Sequence, residues 1–217
     1  MNCIIVMSGG VGNRFGSDLP KQYNLLLGKP IIDYVLEACL KSKKADKIVV
    51  VMDESYKSYS KILNDGDFDF AGNGKERINS LYNGLSLIHD KYDCDKVLIV
   101  DAVAPFLYSE LIDDYFDKLD EYDTVITAQK ITGGFTDIHD SRLNRDDFII
   151  TQSPESFRFK LLWDNFKLDF PFQEMAGLLP DGSKRYYNYN FKNNLKLTYD
   201  FELAYAEAMM KELQSEK

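Results

Sequence analysis

The chain alternates between short apolar runs, rich in Ile and Val as in strands buried on both faces of a sheet, and segments with helical periodicity. The apolar runs are Asn2–Met7, Lys47–Met52, Lys96–Val100 and Thr124–Ala128. The periodic segments place on one face Ile31, Tyr34, Val35 and Ala38, then Ile78, Leu81, Leu85 and Ile88, then Leu107, Leu111, Tyr115 and Leu119. This alternation predicts an α/β fold with a doubly wound, mostly parallel sheet. Its ligand crevice is expected beyond the carboxyl ends of the strands.

The alternation breaks down in the second half of the chain. Residues 130–150 are mostly polar and contain Gly133-Gly134, so we predict an excursion from the sheet. The elements predicted after it are a helix with Phe157, Leu161, Leu162 and Phe166 on one face, a short strand at Leu195–Leu197, and a final helix with Thr198 as N-cap and Phe201, Ala204, Tyr205 and Met209 on its inner face. No repeat or linker is evident, so residues 1–217 are expected to form one domain.

Composition narrows the class of protein. With 217 residues, 45% of them hydrophobic and 28% charged, the chain is typical of a globular domain. The N-terminus does not resemble a signal peptide, and no apolar stretch approaches the roughly 20 residues of a transmembrane helix, so we expect a cytoplasmic protein with no membrane partner. A net charge of −9 argues against a nucleic-acid partner, which requires a basic face. Cys3, Cys39 and Cys94 lack paired spacing and are expected to be buried thiols.

The strongest chemical signal directly follows the first predicted strand. The segment Ser8-Gly9-Gly10-Val11-Gly12-Asn13-Arg14-Phe15 is followed by Pro20-Lys21-Gln22-Tyr23. Three glycines let the backbone turn sharply and approach a polyphosphate, so that successive N–H groups can face its oxygens. Arg14 and Lys21 are the two cations within reach, and such groups neutralise the charge that develops in nucleotidyl transfer. The alternative is an ordinary glycine turn beside two solvated cations.

Asp101 ends the third apolar run, at the sheet edge where the crevice is expected. A carboxylate there can hold Mg²⁺ beside a triphosphate, because Mg²⁺ takes one or two protein carboxylates and completes its shell with phosphate and water. Asp101 is therefore the candidate metal ligand. An Asp at the end of a strand also forms turns and caps helices, and that interpretation stays open.

The glycine-rich segment resembles the signature of the cytidylyltransferase family that contains the 2-C-methylerythritol 4-phosphate and ribitol 5-phosphate cytidylyltransferases. The resemblance covers nearly the whole chain. It continues in the same order through Gly74–Ser80, Val100–Phe106, Thr151–Pro154 and Asn194–Thr198. It implies a Rossmann-like fold of the nucleotide-diphospho-sugar transferase type, in which residues 130–150 form a projecting dimerisation arm.

The resemblance also implies roles for individual residues. The glycine loop with its two cations would hold the CTP triphosphate, and the Gly74–Ser80 motif would contact the cytosine and ribose. The implied nucleotide-binding residues are Ser8, Gly9, Gly10, Gly12, Arg14, Lys21, Gly74, Arg77, Ser80, Asp101 and Ala102.

The phosphorylated acceptor would bind elsewhere on the chain and its partner. Ser153 and Lys196 are implied to bind it, Lys196 through the acceptor phosphate, and Arg145 on the arm would reach the acceptor site of a partner subunit. A homodimer follows by resemblance. The implied catalytic residues are Arg14, Lys21 and Lys196, and the implied cofactor is Mg²⁺. Arg145 has charged neighbours, so the alternative for it is one charge of a solvated run.

Several acceptor-side positions depart from the family pattern. The family histidine and arginine of the third motif are Val100 and Ala104 here, an Asp-Thr element is replaced by Thr132-Gly133-Gly134, and a Thr-Asp-Asp/Glu-Ala element by Phe172–Ala176. A pocket built to pair polar groups discriminates against a substrate that leaves them unpaired, so these changes predict a changed acceptor. We expect a polyol or sugar phosphate for a surface polymer such as teichoic acid or capsule first, and methylerythritol phosphate second.

The expected reaction is in-line attack by an acceptor phosphate oxygen on the α-phosphorus of CTP, with loss of pyrophosphate. A phosphate dianion is already a nucleophile at neutral pH, so no base is required, and neither His89 nor His139 lies in a motif. Two other hypotheses remain. One is a non-catalytic CTP-binding scaffold, and the other is a related transferase using another nucleotide, which the Gly74–Ser80 motif disfavours.

Overall fold

This computed structural model describes residues 1–10, 16, 19–137, 143–171 and 174–215. The strands among these residues are β1 (Asn2–Met7), β2 (Leu25–Leu26), β3 (Lys29–Pro30), β4 (Lys47–Val51), β5 (Asp69–Ala71), β6 (Lys96–Asp101), β7 (Thr124–Lys130), β8 (Ile149–Arg158) and β9 (Arg185–Asn188). β2 and β3 form a small ladder of their own. The other strands form one sheet in the order β5-β4-β1-β6-β8-β7-β9. The four predicted strands and the mostly parallel α/β sheet are therefore confirmed.

Helices cover both faces of this sheet. They are α1 (Ile31–Lys41), α2 (Lys61–Asp65), α3 (Arg77–Lys91), α4 (Ser109–Lys118), α5 (Phe159–Asn165) and α6 (Glu202–Ser215). In β1, Ile4 and Val6 pack into a core cluster with α1, α4 and α6, whereas Cys3 and Ile5 pack into a second cluster with α3 and α5. Burial on both faces explains why the strand reads as a continuous apolar run. Among the described helices, none combines the length and apolar character needed to cross a bilayer.

Strand direction brings the candidate site together. β1, β4, β5 and β6 are parallel, so their carboxyl ends share one edge of the sheet. The register pairs Met7 with Asp101, which places the turn after β1 beside the end of β6. β8 runs antiparallel between β6 and β7, so the first half of β8 lies at that same edge.

The sequence pattern did not predict β8, and the structure corrects it. Phe157, predicted on a helix, lies in β8, and α5 begins only at Phe159. The strand has no apolar run in its middle, because Gln152, Ser153 and Glu155 are polar and line a cavity. The predicted excursion at 130–150 corresponds to the end of β7, the connection that follows and the start of β8. Residues 138–142 of that connection lie outside the described part.

The predicted strand at Leu195–Leu197 is also wrong. This segment is irregular in the structure, although the Leu197 N–H donates a hydrogen bond to the Val103 carbonyl at 3.0 Å. That contact fixes the chain next to the end of β6. The Leu195 N–H donates to the nearby Asn193 carbonyl at 2.9 Å, so the segment does not pair as a strand along its length.

The final helix begins at Glu202, three residues later than an N-cap at Thr198 predicts. Thr198 is not its N-cap, and its backbone N–H donates instead to a Glu202 side-chain oxygen. The shift rotates the buried face, so that Phe201 and Tyr205 are 58% and 61% exposed while Ala206 is buried. Of the predicted inner face, Ala204 is exposed and Met209 is half-buried, and Met210 is buried.

Two short strands of the main sheet, β5 and β9, also escaped the sequence pattern. β5 and β9 are edge-region strands of three and four residues, too short for periodicity to register. Cys3 and Cys39 are buried as predicted, whereas Cys94, in the loop before β6, is only half-buried.

Candidate active site

Two adjoining cavities lie at the carboxyl edge of β1 and β6. The first has a volume of about 370 Å³ and the second about 310 Å³. The first is lined by Met7, Ser8, Gly9, Gly10, Lys21, Gln22, Asn73, Gly74, Lys75, Glu76, Arg77, Ser80, Asp101, Val103 and Lys196. The second is lined by Arg77, Asp101, Ala104, Ile150, Thr151, Gln152, Ser153, Glu155, Asn194 and Lys196. Arg77, Asp101 and Lys196 line both, and we call these three residues the junction.

The glycine turn after β1 is held in place by the segment that carries Lys21. Gln22 is buried, and its side-chain amide donates hydrogen bonds to the Ser8 carbonyl at 2.6 Å and the Gly10 carbonyl at 3.2 Å. Lys21 opens the short helical turn Lys21–Tyr23 and lines the first cavity. Because the carbonyls of the turn are bonded to Gln22, the turn and Lys21 keep a fixed relation at the cavity wall.

Close packing explains why one position of the turn is glycine. A Cβ atom added at Gly9 would lie 2.6 Å from the Cβ of Asn73, which is far inside van der Waals contact. The turn after β1 and the loop after β5 therefore approach each other more closely than any side chain would allow. Gly12 and Arg14, both predicted to bind the triphosphate, lie outside the described residues.

The Gly74–Ser80 motif forms a tight loop at the start of α3. The Ser80 hydroxyl accepts a hydrogen bond from the Gly74 N–H at 2.9 Å and donates to the Glu76 carbonyl at 3.1 Å. Glu76 and Asn79 form a reciprocal capping box at the N-terminus of the helix. Gly74 and Ser80, which were predicted to bind the nucleotide, line the first cavity. The Ser80 hydroxyl makes hydrogen bonds within the loop and so fixes its shape.

Asp101 forms the wall between the two cavities. Its side chain is only 9% exposed, and its two oxygens lie 3.5 Å from Arg77 and 2.7 Å from Lys196. Burial alone would raise the pKa of Asp101, but these two cations outweigh it and lower the pKa below its ordinary value. An ionised Asp101 therefore orients both cations at the junction. Ala102 is buried outside both linings, with its N–H bonded to the Met7 carbonyl at 3.0 Å.

Polar groups from β8 and from the C-terminal segment shape the second cavity. The Ser153 hydroxyl accepts a hydrogen bond from the Asp101 N–H at 2.8 Å. Asn194 donates to the Ser153 carbonyl at 2.7 Å and to the Gln152 side-chain oxygen at 3.3 Å. These bonds fix the predicted residue Ser153 beside the junction. Ala104, at the position where the family pattern has an arginine, also lines this cavity.

Glu155 is a buried carboxyl group in the second cavity that sequence reasoning missed. Burial raises the pKa of Glu155 to about 8; nearby Arg77 opposes this effect, and the carboxylates of Glu174 and Asp101 add to it. Glu155 directly follows the Thr151–Pro154 motif but belongs to none of the motifs that carry the family resemblance. Gln22 and Asn194 lay inside quoted motifs, but nothing in the pattern distinguished their positioning roles.

Arg145 lies away from both cavities of its own chain. It belongs to the short helical turn Arg145–Asp147, and its guanidinium donates to the carbonyls of Thr132 at 2.9 Å and Gly133 at 3.2 Å. These bonds connect the two described parts of the 130–150 segment. The predicted contact with a partner's acceptor site stays a prediction.

A mostly parallel α/β sheet that carries a glycine turn and clustered cations at its carboxyl edge is typical of proteins that bind nucleotides. The chain belongs to the 2-C-methyl-D-erythritol 4-phosphate cytidylyltransferase family (IspD), whose profile matches residues 2–212. It is therefore a nucleotidyltransferase that uses CTP, as the resemblance implied.

Individual relatives agree with this assignment. The chain is 30% identical over 232 residues to a 2-C-methyl-D-erythritol 4-phosphate cytidylyltransferase of Clostridium tetani, covering 100% of this chain and 93% of that protein. It is 28% identical to the bifunctional ribulose 5-phosphate reductase/CDP-ribitol pyrophosphorylase Bcs1 of Haemophilus influenzae, over 74% of this chain and 36% of that protein.

A solved structure supports the fold. The crystal structure of 4-diphosphocytidyl-2C-methyl-D-erythritol synthase from Anaerococcus prevotii superimposes with a TM-score of 0.81 at 22% identity, covering 97% of this chain and 98% of the other. At that identity the match bears on the fold alone.

Proposed function

We propose that the enzyme transfers CMP from CTP to 2-C-methyl-D-erythritol 4-phosphate and releases pyrophosphate. The observation that carries this proposal is the pair of adjoining cavities that share the cationic junction, since a two-substrate transfer needs two anions held side by side. The family match over residues 2–212 supports this acceptor over the surface-polymer precursor that the sequence ranked first.

In this proposal the first cavity binds CTP. The glycine turn would present backbone N–H groups to the triphosphate, with Lys21 and Arg14 countering its charge. Gln22 keeps the turn in position. The loop shaped by Ser80 would enclose the base and ribose.

The second cavity would bind the acceptor with its phosphate at the junction. Lys196, fixed by Asp101 at 2.7 Å, would offset the repulsion between the acceptor phosphate and the triphosphate. One acceptor phosphate oxygen forms a bond to the α-phosphorus while the bond from that phosphorus to the bridging oxygen of pyrophosphate breaks. No protein base is needed. The His89 ring is stacked on Trp163, with 4.4 Å between the ring centroids, and His89 lines neither cavity.

Mg²⁺ fits this site if its ligands come partly from the protein and partly from phosphate and water. Among the described residues, no cluster of three or more His, Cys, Asp or Glu side chains could hold a metal by itself. Asp101 supplies one hard carboxylate, which suffices for Mg²⁺ when phosphate and water complete its shell. To bind the ion, Asp101 would replace its ion pair with Arg77 or with Lys196 by a contact with Mg²⁺. A bound Mg²⁺ would add positive charge beside the phosphates.

Pyrophosphate release tests the proposal directly. Purified enzyme with CTP and Mg²⁺ should release pyrophosphate with 2-C-methyl-D-erythritol 4-phosphate, and Lys21→Ala should reduce kcat at least 100-fold while the circular dichroism spectrum and melting temperature stay unchanged. Lys130→Ala, an exposed lysine outside both cavities, is the matched control. CTP binding without pyrophosphate release from any acceptor would favour a non-catalytic scaffold and refute the proposal. Near-normal turnover in Lys21→Ala would refute the role of Lys21.

A second candidate acceptor is another polyol phosphate such as ribitol 5-phosphate. Ala104 favours it, because an alanine in the second cavity leaves more space and one cation fewer than the family arginine. The similarity to the Haemophilus influenzae protein supports the same direction. Comparing kcat/KM for ribitol, glycerol and methylerythritol phosphates decides between the candidates.

A homodimer with Arg145 reaching the partner's acceptor site is also part of the proposal. Arg145 and its carbonyl partners are exposed, so the residue is accessible to a second subunit. Sedimentation analysis gives the oligomeric state. Kinetics of mixed dimers, in which one subunit carries Arg145→Ala and the other Lys21→Ala, would test whether the sites are shared.

A further inference from the structure

Among the described residues that line the second cavity, Glu155 has a buried carboxyl oxygen without a hydrogen-bond partner. Only 7% of the residue is exposed, and among the described residues its Oε2 atom has no hydrogen-bond partner. The neighbouring groups are already engaged: Ser153 with Asp101, and Asn194 with Gln152 and Ser153. A buried carboxyl oxygen without a partner is unfavourable unless a ligand supplies a donor.

Position separates Glu155 from the other buried oxygens that lack a partner. The hydroxyls of Ser86, Thr124 and Ser156 are also unpaired, but they line neither cavity. Glu155 lines the second cavity, which is the space that the acceptor would occupy.

The charges of the cavity orient its ligand. Arg77 and Lys196 attract the phosphate to the junction. Arg77 acts on Glu155 with a positive field, and Glu174 and Asp101 act on it with a negative one. Glu155 itself offers a phosphate no positive charge. The uncharged hydroxyl end of the acceptor is the part that suits the space beside Glu155.

We propose that Glu155 binds one hydroxyl group of the polyol phosphate through its carboxyl group and thereby determines which acceptor the enzyme selects. This inference rests on the proposed function. A carbon bearing hydrogen in place of that hydroxyl would leave the carboxyl oxygen unpaired, so the deoxy analogue of the preferred acceptor is discriminated against. No quoted motif contained this residue.

The test compares the preferred polyol phosphate with its single-deoxy analogues. Acceptor binding is measured by calorimetry in the presence of a non-hydrolysable CTP analogue, and kcat/KM by pyrophosphate release. In the wild type, one deoxy analogue should be worse than the parent by about 10- to 100-fold, the range expected when a buried hydrogen-bonding group is left unpaired. Glu155→Met should lower the parent to that level and leave this analogue unchanged.

Two further variants make the result decisive. Glu155→Gln keeps the shape and a hydrogen-bonding group, so its selectivity should fall between the wild type and Glu155→Met, and it serves if the Met variant folds poorly. Ser156→Ala removes the neighbouring unpaired hydroxyl outside the cavities and should match the wild type. CTP affinity should stay within about twofold in all variants.

The inference would be overturned if a Glu155 substitution lowered kcat/KM equally for the parent and for the deoxy analogues, or if both Glu155 variants kept the wild-type selectivity. Either result would leave the proposed function intact. If the wild type bound no polyol phosphate at all, the inference and the proposed acceptor class would both be overturned. Binding that shows the expected selectivity without pyrophosphate release would support the role of Glu155 and count against the transfer reaction alone.

Discussion

Replacing Glu155 by Gln should change how the stability of the protein depends on pH. Burial raises the pKa of Glu155 to about 8, against an ordinary value of 4.5. A carboxyl group with a raised folded-state pKa contributes its full stability below pH 4.5 and loses it as the pH rises through 8. The gap of about 3.5 pH units, at 1.36 kcal/mol each, gives a loss of up to about 5 kcal/mol.

Equilibrium urea unfolding at pH 5, 6, 7, 8 and 9 measures this effect. Gln has the same shape and no titration, so Glu155→Gln should have a free energy of unfolding similar to the wild type at pH 5 and a larger one at pH 9, by several kcal/mol. Glu121→Gln, at an exposed position, is the control for the loss of one carboxylate. Parallel profiles of unfolding free energy against pH for the wild type and Glu155→Gln would refute the raised pKa of Glu155.

Three further predictions concern the first cavity and the junction. Asp101→Asn removes the charge that orients two cations, so kcat should fall about 100-fold, measured by pyrophosphate release with saturating substrates. Gln22→Glu replaces the donor of the glycine turn by an acceptor that faces two carbonyls, so the KM for CTP should rise about 10-fold or more while the acceptor KM stays unchanged. Gly9→Ala should weaken CTP binding in calorimetry, because its Cβ meets Asn73 at 2.6 Å, whereas Gly72→Ala, with open space around it, should not. Unchanged CTP parameters in the Gln22 and Gly9 variants, or full turnover in the Asp101 variant, would count against these roles.

The parallel half of the sheet was predictable because its strands are buried on both faces. Alternate residues of β1 enter different core clusters, so all of them are apolar and the run is conspicuous. β8 was not predictable in the same way. It carries Ser153 and Glu155 toward a cavity, and those polar residues erase the apolar run that marks a strand.

The candidate site divides in the same manner. Glycine spacing and nearby cations identify Lys21 and the turn after β1 from the sequence, because that chemistry is local in the chain. The contact between Asp101 and Lys196 joins residues 95 positions apart, and no local pattern encodes it. The resemblance supplied Lys196 as a phosphate ligand, but the structure was needed to place it 2.7 Å from Asp101.

The two cavities draw on different stretches of the chain. Apart from the junction, nearly all of the first lining comes from residues 7–80, and most of the second comes from residues 150–155 together with Asn194. Substitutions in the residues of the second cavity can therefore occur without changing the lining of the first cavity. One fold could in this way serve different polyol phosphates. A chimera that exchanges only the β8 segment and the Asn194–Lys196 segment between relatives is the smallest transplant that this partition permits.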